Sequence, residues 1–191
     1  WLWRAPISTR NFLIDLFTEV GSKADIISCS WGPPPVYAPL QIDFHYLLEQ
    51  LATKGGPRGK GCVICFAAGN FNAPIADMAN PAGFAWLDSG SGIHRATVGP
   101  ILNGLAAHPD VVAVSASTSL NMHAAYSNWG PEISLCAPSN NFHPLFPGTF
   151  VPGRGIWTTD NEAMGLDFQP GSRYTGGFGG TSSAPPLVAG V

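Results

Sequence analysis

Residues 178–191 read FGGTSSAPPLVAGV, with Ser182 near their centre. A serine hydroxyl attacks a carbonyl only when a neighbouring base takes its proton and donors await the oxyanion that forms. Gly179 and Gly180 let the backbone turn closely ahead of it. The residues after it can start a helix, whose free N–H groups and positive dipole end favour developing negative charge. Pro185 and Pro186 fit only in a first helical turn, where missing N–H groups cost little. Taken alone, Gly-Thr-Ser is only an N-cap signal.

The elements that would position Ser182 can be read from hydrophobic spacing. Ile7, Phe12, Leu13, Leu16, Phe17 and Val20 predict a helix over 7–20, stopped by Gly21. ADIISCSWG, residues 24–32, predicts a buried strand, and the proline-rich 33–40 a loop. Ile42, Phe44, Leu47, Leu48 and Leu51 predict a second helix over 41–54, followed by a buried strand over 62–68. Apolar strands joined by helices imply a parallel sheet covered on both faces. Ligands of such sheets bind at the carboxyl ends of the strands. Trp31-Gly32 and Gly69-Asn70 stand at those ends and are candidates on that ground alone. Residues 71–109 predict a long irregular loop, 110–117 another strand, and 155–160 a short one. A Gly/Ser/Tyr-rich stretch then leads to Ser182.

Composition narrows the class. The 191 residues suffice for one domain with its own core, and neither a repeat nor a linker divides them. Hydrophobic residues make up 45% and charged residues 11%, against roughly a quarter charged in an average domain. The net charge of −3 and the lack of a basic stripe argue against a nucleic-acid partner. No apolar run approaches the roughly 20 residues of a membrane span. The first residue is Trp1, not Met, and the sequence reads as part of a longer or processed chain. Cys62 and Cys65 form a C-x-x-C spacing, but without a second ligand pair and within one apolar run. On a strand they would point to opposite faces, which suits buried thiols rather than a chelate or a disulfide.

Four ordered segments together resemble the subtilisin-like serine peptidases. GGTSSAPPLVAGV matches the nucleophile segment at Gly180, Thr181, Ser182, Pro186, Val188, Ala189 and Gly190. FAAGN resembles the oxyanion segment, ISCSWGP the substrate-binding strand, and YSNWGPEISLCAPS a framework segment. SCSWGP and GIWTTD look closest to the kexin and furin branch. That branch's acidic residues are absent before Asp43, so dibasic specificity is not carried over, and Pro185 stands where the family has a small residue. The resemblance implies an α/β fold of three layers, a mostly parallel sheet with helices on both faces, incomplete at both ends. It implies one partial peptidase domain over 1–191, with Ser182 as the acyl-enzyme nucleophile and Asn70 as the oxyanion donor. Ser30, Trp31 and Gly32 would pair with a peptide or protein substrate as an added strand. Ser183 is the competing nucleophile, one residue out of step with Pro186. It implies no cofactor for the chemistry, but a structural calcium without a located site, a propeptide, and a secreted or extracytoplasmic setting.

The resemblance also requires a histidine base and an aspartate upstream of the ISCSWGP strand. Residues 1–23 offer only Asp15 of these, in a helical pattern that suits a surface charge. His45 shares a helical face with Gln41 and Glu49, which predicts a surface role, and His94, His108, His123 and His143 sit beside turn residues. None stands in a glycine-flanked helix start, so this stretch alone is expected to be inactive. Asp77, Asp88 and Asp160 are available oxygens for calcium, but no dense acidic loop appears and no metal site is assigned. The rival reading is a catalytically dead domain of the same fold that binds rather than cuts. An α/β esterase ranks lower, because GTSSA lacks the second glycine of a Gly-x-Ser-x-Gly elbow.

Overall fold

The computed structural model describes residues 10–160 and 169–191. The start of the expected 7–20 helix, including Ile7, lies outside the described residues. Helix α1 spans Arg10–Gly21 and α2 Ile42–Lys54, close to the periodicity that marks them. Strands β1 (Ile26–Cys29), β3 (Val63–Ala67), β8 (Val112–Ser117) and β9 (Leu135–Pro138) form one parallel sheet in the order β1-β3-β8-β9. Parallel pairing follows from the crossovers, since each strand is reached by a long connection rather than a hairpin.

Side-chain alternation splits the core into two layers. On one face Ile27, Cys29, Ile64 and Phe66 of the sheet pack against Phe17 of α1 and Phe44, Leu48 and Leu51 of α2. On the other face Cys65, Val114 and Ala137 pack against Ala184 of α3, which spans Ala184–Ala189. The sheet therefore has helices on both sides. Cys62 and Cys65 fall into opposite layers and all four cysteines are free thiols. Burial pushes the Cys65 thiol up and the Cys29 thiol up to about 12.

Three expectations need correction. The proline loop contains a two-residue strand, β2 (Tyr37–Ala38), which pairs with β7 (Ile101–Asn103) beside β4 (Ala76–Asp77). The N–H groups of Leu102 and Gly104 donate to the carbonyls of Val36 and Ala38, so the prolines on either side are not asked for an N–H. Residues 71–109 are not irregular throughout: β5 (Phe84–Asp88) and β6 (Ile93–Thr97) form an antiparallel hairpin. It closes through Asp88, which accepts from the N–H of Gly90, the hydroxyl of Ser91 and Nε of Arg95. The Gly/Ser/Tyr-rich approach to Ser182 contains β11 (Tyr174–Phe178), antiparallel to β10 (Ile156–Thr159). Among the described residues no helix is long and apolar enough to cross a membrane.

Candidate active site

The carboxyl ends of β1 and β3 and the start of the last helical segment converge. Beyond β3 the chain turns at Gly69, whose φ of 111° suits glycine, and a Cβ there would sit 2.5 Å from Nδ2 of Asn128. Asn128 is buried. Its Oδ1 accepts from the N–H groups of Phe71 and Ala73, and its Nδ2 donates to the carbonyl of Ala68. This one side chain supplies the partners that a tight turn at a strand end leaves open.

The turn delivers Asn70 to the segment before α3. Oδ1 of Asn70 accepts from the N–H of Thr181 at 2.7 Å and from its hydroxyl at 2.8 Å. The Thr181 hydroxyl oxygen accepts in turn from the N–H of Gly69 at 3.1 Å. With the carbonyl oxygen engaged, the Nδ2 hydrogens of Asn70 have no partner among the described residues.

Ser182 lies in a single 3-10 turn, Thr181–Ser183, that runs directly into α3. Pro185 and Pro186 fall in the first turn of α3, where no N–H is needed. The Ser182 side chain is half-buried and its Oγ donates to the carbonyl of Ser30 at 3.3 Å. Ser30 answers with Oγ donating to the carbonyl of Ser182 at 2.7 Å. Ser30, Trp31 and Gly32 continue the edge strand β1, so the expected substrate-binding stretch and the expected nucleophile are side by side. Trp31 is fixed by edge-to-face contact with Phe66, ring centres 5.1 Å apart, and by Phe17. Beside it opens an apolar pocket of about 360 Å³ lined by Leu13, Trp31, Gly32, Leu40, Phe44 and Leu105, among others.

Ser183 is fully committed inside the fold. Its hydroxyl lies 2.7 Å from that of Ser139 and donates to the carbonyl of Gly180 at 3.1 Å. It is 2% exposed, out of reach of a molecule in solvent. All five histidines lie in the described residues, and none is a hydrogen-bond partner of Ser182. Asp15 is exposed on α1.

His45 is not a plain surface residue. Its ring is half-buried, 4.4 Å centre to centre from that of His108. Nδ1 of His108 accepts from the N–H of Asp110 at 3.2 Å, which leaves the proton on Nε2, where it meets the carbonyl of His45 at 3.3 Å. Burial first, then the neighbouring His45, hold the His108 ring below its ordinary range. Its backbone bond to His45 and the carboxylates of Asp110 and Glu49 oppose this.

For calcium, Asp77 Oδ1 accepts from the N–H groups of Ala79 and Asn80, Asp88 pairs with Arg95, and Asp160 Oδ2 accepts from the N–H of Gln169. Among the described residues no three histidine, cysteine or acidic side chains gather into a metal-binding group. The one buried side-chain oxygen left without a partner among them, Oε2 of Glu132, does not by itself make the cage of 6–8 oxygens that calcium takes.

Sequence reading alone missed Asn128, Ser139, Asn140 and Tyr126. Each looks like an ordinary turn or core residue, and only the tertiary contacts reveal what it holds.

A subtilisin-like sheet whose two strand ends meet a Gly-Thr-Ser turn defines the class, and comparison with known proteins agrees. A profile of the subtilase family, peptidase S8, matches residues 8–191, and the chain belongs to that family. It is 35% identical over 188 residues to the calcium-dependent protease of Nostoc sp., covering 88% of this chain and 23% of that protein. The calcium-dependent protease of Trichormus variabilis matches at the same identity and coverage. A dibasic-processing endoprotease of Yarrowia lipolytica is 30% identical over 171 residues, covering 88% of this chain and 14% of its own length. The chain thus spans less than a quarter of the relatives it matches. Among solved structures, the serine protease of Aeromonas sobria superposes with a TM-score of 0.60 at 18% identity, covering 87% of this chain and 29% of that one. A lanthipeptide protease superposes with a TM-score of 0.60 at 20% identity, covering 96% and 50%. These two show the shared fold.

Proposed function

We propose that the intact protein is a serine endopeptidase in which Ser182 attacks the peptide carbonyl and Asn70 Nδ2 donates to the oxyanion. The observation that supports this best is the double bond from Thr181 into Oδ1 of Asn70. With its oxygen so held, the carboxamide keeps its donor nitrogen without a partner among the described residues, beside Gly180, before any substrate arrives. A donor held in place needs no reorganisation as charge develops, which is how an oxyanion site lowers a barrier. The N–H of Ser182 itself is the second donor in this reading, because those of Ser183 and Ala184 are spent on the carbonyls of Gly180 and Thr181 and the two prolines have none.

In the acylation step the Ser182 oxygen bonds to the carbonyl carbon, its proton passes to a base, and the base returns it to the leaving amine. Water then repeats the sequence on the ester. The base and its orienting carboxylate belong to polypeptide other than residues 1–191, since none of the five histidines partners Ser182. The substrate backbone lies along Ser30, Trp31 and Gly32, and the apolar pocket beside Trp31 takes one of its side chains. A structural calcium belongs to the proposal through the two relatives that carry it in their names, and no residues are assigned to it. Export and a propeptide belong to the proposal on family habit alone.

The missing histidine partner also favours a second reading, a peptide-binding domain of the same fold without turnover. A fluorophosphonate probe on the intact protein, followed by peptide mapping, separates the two. Label on Ser182 that vanishes in Ser182→Ala supports the peptidase. Peptide binding with Ser182 unlabelled supports the binding domain.

A further inference from the structure

Two consecutive residues that leave β9, Ser139 and Asn140, hold Gly180, just ahead of Thr181-Ser182, by its N–H and by its carbonyl. The N–H of Gly180 donates to Oδ1 of Asn140 at 2.8 Å. The carbonyl of Gly180 accepts from Oγ of Ser139 at 2.7 Å. Ser139 is itself held, because the hydroxyl of Tyr126 donates to it at 2.8 Å. Tyr126 is wholly buried and stacks on Phe142, ring centres 4.0 Å apart and 12° from parallel. The Asn140 carboxamide also fills the space over Gly179, where a Cβ would overlap it.

Gly180 needs such restraint. Its φ of 72° and ψ of 174° lie in a region that glycine visits freely but nothing local enforces. A rotation there would swing Thr181 off Asn70 and move Ser182. The 3-10 turn adds one backbone bond, from the N–H of Ser183 to the carbonyl of Gly180 at 3.2 Å. That bond fixes the turn to Gly180, not Gly180 to the sheet. The side chains after β9 make the second connection.

We infer that Asn140 and Ser139 are positioning residues for Ser182, acting through Gly180. The inference rests on Ser182 being the nucleophile. Displacing a reacting atom by about 1 Å costs on the order of 100-fold in rate, so even partial loss of the clamp must register in turnover. Its mark is a fall in kcat with KM kept, because the strand that binds substrate, Ser30 to Gly32, is untouched.

The test uses the intact protein and a fluorogenic peptide, with kcat and KM measured separately and melting followed in parallel. Asn140→Leu keeps the volume and removes the acceptor, and Ser139→Ala removes the second bond. Asn141→Leu is the control. Asn141 is its neighbour, its Oδ1 accepts from the N–H of Ala125 and its Nδ2 donates to the carbonyl of Pro152, and neither contact reaches Gly180. Expected are falls in kcat of about tenfold or more for Asn140→Leu and Ser139→Ala, with KM within about twofold and fluorophosphonate labelling of Ser182 slowed alike. Asn141→Leu lowers the melting temperature and leaves kcat within about twofold. Wild-type kcat in Asn140→Leu overturns the inference, as do parallel losses in Asn140→Leu and Asn141→Leu. Turnover that survives Ser182→Ala, or a wild-type protein that takes no label at Ser182, instead sinks the nucleophile assignment and this inference with it.

Discussion

Asn70 and Thr181 stand 111 residues apart in the chain, and both donors of Thr181, N–H at 2.7 Å and hydroxyl at 2.8 Å, converge on one oxygen of Asn70. A carboxamide held this way cannot flip without losing both bonds. The direction its nitrogen faces is therefore a property of the fold and not of a ligand.

Asn70→Ala in the intact protein is expected to lower kcat by about 10²–10³ with little change in KM, the magnitude carried over from the loss of such a donor within this family. Steady-state kinetics on a peptide substrate, beside a melting curve, measures it. Unchanged kcat would remove Asn70 from the chemistry.

The pocket beside Trp31 is lined mainly by apolar residues, Leu13, Pro33, Pro39, Leu40 and Phe44 among them, with Gln41 the one amide side chain. Peptides whose side chain reaches it are expected to be cut faster when that side chain is leucine or phenylalanine than when it is alanine, by about tenfold in kcat/KM. Acidic side chains should be disfavoured. Trp31→Ala should flatten the preference. A peptide library profiled against both proteins decides it, and a preference for paired basic residues would contradict the pocket's chemistry.

Much of the frame was legible before any coordinates. The 3.6-residue spacing of Phe44, Leu47, Leu48 and Leu51 marks α2 because that face packs on the sheet. The apolar run at 63–67 marks a strand largely buried in a parallel sheet, whereas 26–29, expected to be buried too, is an edge strand with only Ile27 and Cys29 inside. The β5–β6 hairpin was missed because its second strand, IHRAT, is exposed along most of its length and carries little apolar pattern. β11 was missed because YTGGF places two glycines where strand formers are expected. At the site, the strand-end rule pointed to Asn70 and Trp31. Asn128 and Asn140 were invisible, because an asparagine that ties two distant backbones looks, in sequence, like one that caps a turn.

Acid should weaken the fold through His108. An unfolded histidine takes its proton near pH 6.5, whereas the buried ring resists it. Below that pH the unfolded chain binds more protons than the folded one, so stability is full above about 6.5 and declines as pH falls toward the lower folded value. The groups facing the ring are His45 and Glu49 from α2 and Asp110 from its own loop. Melting temperature is expected to drop between pH 7.5 and pH 5.5, and to drop less in His108→Gln. Equal drops would place the acid sensitivity elsewhere.

Thiol reactivity should divide the four cysteines. Cys29, Cys62 and Cys65 are buried, and burial raises all three thiols; Cys136 is exposed on β9, its Sγ 2.6 Å from the Ser115 hydroxyl. Iodoacetamide on the native protein is expected to modify Cys136 alone, with the other three reacting only in denaturant. Mass spectrometry of the labelled peptides reads this directly. Native-state labelling of Cys65 would mean that α3 lifts from the sheet.

The reciprocal bonds between Ser30 and Ser182 bridge 152 residues. Contacts that distant form late, because the loop between them must close before either bond repays the lost freedom. A ribosome-bound chain that has exposed its edge strand but not yet the Thr181–Ser183 turn holds Ser30 without Ser182, so neither of the two bonds can exist until synthesis has passed both stretches.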